Sequence, residues 1–343
     1  MTDWYLDPRA LGTWRARDPH GSLLHLAERI DADSDPNEHE LALDVDLLHV
    51  DATSHAQIAR SCDHDPARMA ARLQEIVAAR GALQNPETRS GGVARGRVTY
   101  VGSDSTHGAA VGDLVVPLVS LIALPLRLDT VGPIDLRNPE VPVRGRAIVT
   151  GRMPMLVVPD DLADVALTAA DVYPVASYAH THARPGDHVA VLGGGVAGAL
   201  AAAAALEAVG ERGQVTVVDV DEAALARVAA AAPAALTVRA DARDAVAVAG
   251  LLRDAGRRPA DLTFACTSAR GCEGTALLVT ATDGVVLYFS TATSFAAASL
   301  GTDPIGHGAR LELSNGVTPD HGARTLDLLR RNPALRTLFA GHA

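Results

Sequence analysis

The spacing of apolar and polar positions changes near the middle of the chain. From Asp161 onward, short apolar runs alternate with stretches of helical periodicity. The pattern predicts helix Leu162–His182, the turn Arg184-Pro-Gly-Asp187, strand Val189–Leu192, an alanine-rich helix, strand Val215–Asp219 and helix Glu222–Ala231. It continues with a strand near Leu236–Ala240, helix Asp244–Ala255, strand Asp261–Cys266, helix Glu273–Thr280, strands Val285–Ser290 and Arg310–Ser314, and a final helix over Asp320–Arg330. Such alternation implies a parallel sheet covered on both faces. Before Asp161 the runs are short (Leu41–Val50, Val98–Val101, Leu114–Leu121 and Ala147–Thr150) and are punctuated by Gly, Pro and Asp, which reads as β-rich. One helix fits there, over Pro66–Arg80, with Gly81 ending it. The expected domains are therefore 1–160 and 161–343.

The strand at Val189–Leu192 runs into Gly193-x-Gly195-x-x-Gly198, then a helix, then a second strand ending at Asp219. Each part has a task in a doubly wound Rossmann fold. Gly193 permits the tight turn, Gly195 lets a diphosphate approach the backbone, and Gly198 lets helix and strand pack closely. The helix N-terminus, with Val196 and Ala197, offers free N–H groups and a positive dipole end to phosphate. Asp219 can accept from the hydroxyls of the adenosine ribose. It would also repel a 2′-phosphate, and Val220-Asp221-Glu222 supplies no compensating arginine. NAD is expected, with NADP disfavoured.

Composition narrows the classes. A net charge of −11 without a basic tract argues against nucleic acid. The chain has no apolar run of membrane-spanning length and no signal core at its start. Three cysteines, Cys62, Cys266 and Cys272, are too few for a disulfide framework, so a cytoplasmic protein is expected.

A β-rich front half before a dinucleotide fold, the Pro-Gly-Asp turn ahead of the first strand, and Val111-Gly-Asp resemble medium-chain dehydrogenase/reductase enzymes. The resemblance sharpens at Leu43–Ser54, Arg80–Gly92, Leu118–Leu126, Tyr288–Phe295 and Ser314–His321, which are similar to the L-erythro-3,5-diaminohexanoate dehydrogenase family. It runs from about Leu11 to Phe339. It implies a GroES-like front domain joined to the Rossmann domain. It also implies oxidative deamination of a small cationic diamino acid to 5-amino-3-oxohexanoate, ammonia and reduced nicotinamide, as in lysine degradation. Two other readings stay open: a zinc-free alcohol dehydrogenase or enone reductase, and a non-catalytic dinucleotide-binding sensor.

Against zinc alcohol dehydrogenases, Asp51 falls where the catalytic cysteine would be, and Gly91-Gly92-Val93 falls on the Gly-His-Glu segment. No run of four cysteines is present for a structural zinc. His55, Cys62 and His64 cluster in sequence and read as a half-buried cysteine beside surface histidines. No metal is expected. An amine can expel hydride with its own lone pair once a base removes the ammonium proton. Asp51 is the first candidate to bind or deprotonate that ammonium. Glu273, after Cys266 at a strand end, and Glu87, just before Ser90, follow it. Arg89, Arg95 and Arg270 are candidates for the substrate carboxylate. Cys266, Ser290, Thr291 and Thr293 fall near the expected nicotinamide end. Asn315 and His321 are further polar candidates, His321 for proton relay. The strand Arg310–Ser314 reads as a sheet edge, and a homodimer joined there is expected.

Overall fold

A computed structural model describes residues 7–290, 292–306, 308–313, 318, 320 and 322–341. The chain divides into two compact units, meeting in sequence at Asp171 and Val172.

The front unit begins with a short helix, α1 (Pro8–Leu11), and a small antiparallel pair, β1 (Ala16–Asp18) and β2 (Arg29–Ile30). Six further strands follow: β3 (Leu41–Val50), β4 (Gly92–Val101), β5 (Leu114–Pro117), β6 (Leu126–Val131), β7 (Glu140–Val149) and β8 (Met155–Val157). They pair antiparallel in the order β6-β7-β3-β4-β5-β8. Two helices, α2 (Ala52–Ser61) and α3 (Pro66–Arg80), lie between β3 and β4 in sequence. Helix α3 has the expected bounds because its signals are local. Asp65 accepts from Ala67 N and Arg68 N, Pro66 stands at the first turn, and Gly81 closes it at φ 78°. Helix α2 was not expected, its stretch being more polar than apolar, and it starts at Asp51, whose Oδ1 caps Ser54 N at 2.9 Å. The apolar run at Leu114–Leu121 forms a strand only as far as Pro117.

A buried ion pair ties the start of this unit to its sheet. Arg15 and Glu40 are fully buried, with Nε–Oε1 and Nη2–Oε2 both 2.8 Å. The guanidinium also donates to the carbonyls of Asp31, Ser34 and Asp35 and lies over the Trp14 ring. Glu40 accepts in addition from Asn37 N and Trp14 Nε1.

The helix expected over Leu162–His182 is two helices, α4 (Ala166–Val172) and α5 (Pro174–His182). Pro174 lacks the N–H that would continue the ladder, so it restarts the helix at its first turn.

The second unit holds six parallel strands: β9 (His188–Leu192), β10 (Gln214–Asp219), β11 (Leu236–Arg239), β12 (Ala260–Ala265), β13 (Thr280–Tyr288) and β14 (Arg310–Leu313). Their order, β11-β10-β9-β12-β13-β14, is the doubly wound arrangement, with β9 at the switch point. Every residue of β9 is buried. Helices α6 (Val196–Val209), α7 (Glu222–Ala231), α8 (Ala245–Asp254), α9 (Glu273–Val279), α10 (Phe295–Leu300) and α11 (Thr302–Ile305) connect the strands. Helix α6 is apolar on every side because Ala199–Ala205 are all buried. The ending differs from expectation. Helix α12 (Ala323–Arg331) stops at Asn332, and Pro333 opens another helix, α13 (Pro333–Ala340), capped by Asn332 Oδ1 on Leu335 N. Helix α13 buries Leu335, Leu338 and Phe339.

Burial holds several histidines neutral. His107 Nε2 donates to Thr150 O (3.0 Å), and His188, fully buried, spans Arg258 O (2.6 Å) and Thr216 Oγ1 (3.0 Å). Burial lowers both below the ordinary histidine value, as it does for His49, His55 and His180. These rings bind protons less readily folded than unfolded, so unfolding takes up protons. Stability from them is complete above the unfolded value of about 6.5 and declines as pH falls below it. The unfolding midpoint is expected to be level from pH 8 to 7 and to drop progressively below about 6.5. A thermal-melt series that stays flat down to pH 5 would contradict this.

Candidate functional site

In the second unit, the C-terminal ends of the parallel strands gather the residues expected at a dinucleotide. Gly193 has φ 101°, a conformation that excludes a side chain without strain. A Cβ at Gly198 would lie 1.8 Å from Gly193 O, so strand and helix touch there. A Cβ at Gly195 would meet nothing within 4 Å, which leaves open space over the turn. Helix α6 begins just after Gly195 with no side chain capping it, so Val196, Ala197 and Gly198 face that space with the positive end of a helix of 14 residues. The turn is pinned from β10, where Asp219 Oδ2 accepts from Gly194 N (2.6 Å) and Oδ1 from Asp221 N (2.8 Å). Each oxygen keeps a lone pair for a ribose hydroxyl. These groups fit a dinucleotide.

Parallel register also sets Arg239 of β11 beside Asp219. The reading from Val220–Glu222 alone missed it. Arg239 Nη1 pairs with Glu222 and Nε donates to Val220 O, so its charge is already met.

Cys266 and Ser290 follow β12 and β13. Cys266 N donates to Leu192 O, and burial pushes its thiol up to about 12, leaving it protonated. Ser290 N reaches back to Ala265 O, its Oγ accepts from Ala292 N, and Thr293 N donates to Ser290 O. Glu273 opens α9. It is 5 % exposed, and its Oε1 accepts from Ser294 N at 2.6 Å. That acid therefore holds Ser294 from within, rather than standing free in an open site. Arg270 is exposed. Thr291, Asn315 and His321 lie outside the described residues.

The front unit assembles a second group. Asp51 is half-buried, with Oδ1 on Ser54 N and Oδ2 accepting from Ser90 Oγ at 2.7 Å. Behind it, Ser54, Thr88 and Ser90 form a triangle of hydroxyls with separations of 2.5, 2.9 and 3.1 Å. Arg89 sits in that loop at φ 60°, a left-handed conformation uncommon for a side-chain-bearing residue, with its side chain exposed. Glu87 points elsewhere. It is exposed and lines a cavity of about 370 Å³ between α2 and α3, with Gln57, Asn85, Arg68 and Arg72. Arg95 is committed, because its guanidinium grips Asp46 (3.1 and 3.0 Å) and Ala163 O (3.0 Å).

Two residues that the sequence reading passed over join Asp51. His49 lies two positions earlier on β3, and Asp171 comes from α4. Burial lowers the His49 imidazole against the opposing charges of Asp171 and Asp51. Burial, helped by Asp51 and opposed by His49, raises the Asp171 carboxyl. Asp171 nonetheless keeps solvent access. Paired carboxylates with one raised suit the holding and deprotonation of an ammonium. A signal existed for Asp171: it is a lone acid in the apolar run Leu167–Val172. The expected cluster of His55, Cys62 and His64 does not form as drawn. His55 and Cys62 are buried and only His64 is exposed. Among the described residues no three His, Cys, Asp or Glu side chains converge to hold a metal ion.

Residues 14–159 match the model of the L-erythro-3,5-diaminohexanoate dehydrogenase N-terminal domain. The L-erythro-3,5-diaminohexanoate dehydrogenase of Fusobacterium nucleatum is 34% identical over 336 residues, covering 96% of each chain. That of Acetoanaerobium sticklandii is 32% identical over 334 residues, covering 96% of this chain and 97% of its own. Among solved structures, a mycobacterial protein complexed with NADPH covers 90% of both chains, with a TM-score of 0.56 at 15% identity, a likeness of fold.

Proposed function

The chain belongs to the L-erythro-3,5-diaminohexanoate dehydrogenase family, and from that premise we propose that it oxidatively deaminates L-erythro-3,5-diaminohexanoate, or a close β-amino acid, to the 3-oxo acid and ammonia with NAD and without zinc. The observation that carries this reading is the Asp51, Asp171 and His49 group of the front unit. Bound at the Gly193–Gly198 turn, NAD supplies the hydride acceptor. The residues of this chain manage charge and protons. Asp51, held by Ser54 N and the Ser90 hydroxyl, keeps one lone pair on each oxygen for a substrate ammonium. Asp171 adds a second carboxylate, reachable from solvent and raised above the ordinary carboxylate value. Arg89, exposed beside Ser90, is a cation that can meet the substrate carboxylate. Glu273 holds Ser294, just beyond Ser290 in sequence. In this reading proton transfer to side chains takes the place of Lewis-acid activation. Purified enzyme with the diamine and NAD should release NADH and ammonia in equal amounts. Reduction of enones or oxidation of simple alcohols, with the diamine inert, would favour the alternative reading.

NAD rather than NADP is the proposed partner because Asp219 opposes a 2′-phosphate and Glu222 neutralises Arg239. kcat/KM is expected to favour NAD by about ten-fold or more, equivalent to about 1.4 kcal/mol. Glu222→Gln, which frees Arg239, should narrow the gap. Equal use of both cofactors by the parent enzyme would refute the assignment.

A homodimer through β14 is proposed as well. That strand is the sheet edge, and Leu313, on it, is 64% exposed. Phe295, Leu300 and Ile305 expose further apolar surface on the adjoining α10 and α11. Continuing the sheet into a second copy would cover both the edge and these side chains. Light scattering at micromolar concentration should give twice the chain mass, and Leu313→Lys should lower it. A monomeric parent would contradict this. Three free cysteines agree with a cytoplasmic setting.

A further inference from the structure

The loop between α3 and β4 carries Ser90, which holds Asp51, and Arg89, its neighbour in sequence. One buried side chain closes that loop. Asn85 is 1% exposed, and each of its hydrogen-bonding groups is engaged. Its backbone N–H donates to Ser90 O, and its backbone carbonyl accepts from Arg89 N, both at 2.9 Å. Its Oδ1 accepts from Glu87 N at 2.9 Å, the turn that asparagine makes with the backbone two residues on. A backbone N–H can only donate, so this contact fixes which way the amide faces. Its Nδ2 leaves the loop and donates to Gln57 Oε1 of α2 at 2.8 Å, and more weakly to Ser54 O at 3.5 Å. Asn85 thus ties the loop to itself and to the helix that Asp51 caps.

The far side of the loop depends on that tie. Ser90 has one hydroxyl hydrogen, and Asp51 Oδ2 takes it at 2.7 Å. Ser54 or Thr88, at 2.9 and 3.1 Å, therefore donates to Ser90 from behind, which sets the direction of its hydroxyl. Arg89 stands at φ 60°, a left-handed backbone that a side-chain-bearing residue keeps only where its surroundings fix it. Asn85 O on its N–H is one such contact, and Gln84 Nε2 on its carbonyl (3.3 Å) is another. The other face of the loop borders the cavity of about 370 Å³ between α2 and α3, with Gln57, Asn85, Pro86 and Glu87 in its lining. Packing leaves that face open, so the hydrogen bonds of Asn85 carry the shape of the loop.

We propose that Asn85 is a positioning residue for the substrate site. Through the 85–90 loop it places the Ser90 hydroxyl, which aims Asp51 at the substrate ammonium, and the Arg89 backbone, which presents the guanidinium to the substrate carboxylate. This rests on the deamination reading above. Asn85 acts through these groups and carries no chemistry of its own. Its effect is to offer receptors for both charged poles of a short amino acid from one rigid loop, settled before the substrate arrives. Gln57 is the anchor on α2 that keeps the loop from shifting as a unit.

The test has two arms. In the first, amide hydrogen exchange of the whole enzyme is followed by mass spectrometry over peptides spanning residues 84–91. Asn85→Ala should speed exchange there about ten-fold or more, because Glu87 N loses its acceptor and the loop its tie to α2, and should leave β3 unchanged. Unchanged exchange in the loop overturns the proposal, whether or not the substrate assignment holds. In the second, Asn85→Ala should lower kcat/KM for the diamine about 10²-fold and keep NAD affinity. Asn85→Asp should regain most of the loss, since its oxygens can accept from Glu87 N and from a turned Gln57 amide. Double variants with Ser90→Ala and with Arg89→Ala should each lose less than the product of the two single losses, because the residues act through shared groups. Losses that multiply in either pair, or an Asn85→Ala enzyme as active as the parent, overturn the proposal. Gln57→Leu, which cuts only the tie to α2, should act in the same direction and carries both arms if Asn85→Ala does not fold. A parent enzyme inert toward the diamine defeats the proposed function instead, and the first arm still decides the loop.

Discussion

Asp51→Asn is expected to lower kcat by about 10²- to 10⁴-fold and to leave NAD affinity unchanged. The substitution isolates charge from structure. Asparagine caps a helix about as well as aspartate, so Ser54 N keeps an acceptor and α2 keeps its start. The cost falls on the substrate ammonium, which loses its fixed counter-ion, and on Asp171, whose raised carboxyl owes part of its shift to the charge of Asp51. The Asp171 carboxyl should therefore titrate lower in the variant, moving the acid limb of the kcat/KM profile down in pH. Steady-state kinetics and a cofactor titration by fluorescence check both parts. Turnover near the parent value would remove Asp51 from the chemistry.

Arg15→Met is expected to destabilise the front unit by about 3–5 kcal/mol, a drop in unfolding midpoint on the order of 10 °C for a unit of this size. Removing the guanidinium leaves Glu40 charged and fully buried, and strips the carbonyls of Asp31, Ser34 and Asp35 of their donor. Adding Glu40→Leu should recover part of the loss by removing the stranded charge. Recovery stays partial because Asn37 N then loses its acceptor. Urea melts of the parent, single and double variants measure this. A single variant as stable as the parent would show that the pair contributes nothing net.

The two residues illustrate what could be read from the chain. The bounds of α3 and α7 were legible because proline, aspartate and glycine mark their ends within a few positions. The glycine turn and Asp219 were legible because strand, turn and helix are contiguous. Asp51 was singled out from its position, but its partners were not. Ser90 and Asp171 reach it from distant segments, and only the pairing of β3 with β4 and the packing of α4 bring them in. His49 looked like one more residue of an apolar strand. The Arg15–Glu40 pair is hidden for the same reason, since 25 residues separate two charges that surface statistics would leave in water. Helix α2 was missed because its polar composition hides its periodicity, and the break at Pro174 because apolar spacing continues across it. Arg239 escaped notice because only parallel register sets it beside Asp219. Glu273 was read as a catalytic candidate from its place after a strand end, and its bond to Ser294 N comes from packing that the sequence does not display.

The measurement that bears most directly on the whole account uses L-erythro-3,5-diaminohexanoate carrying deuterium at C3, with NAD and the parent enzyme. The account predicts that the label appears at C4 of the reduced nicotinamide, with one ammonia released per cofactor reduced. Label retained in the organic product, or cofactor left oxidised while the enzyme binds it, would contradict it.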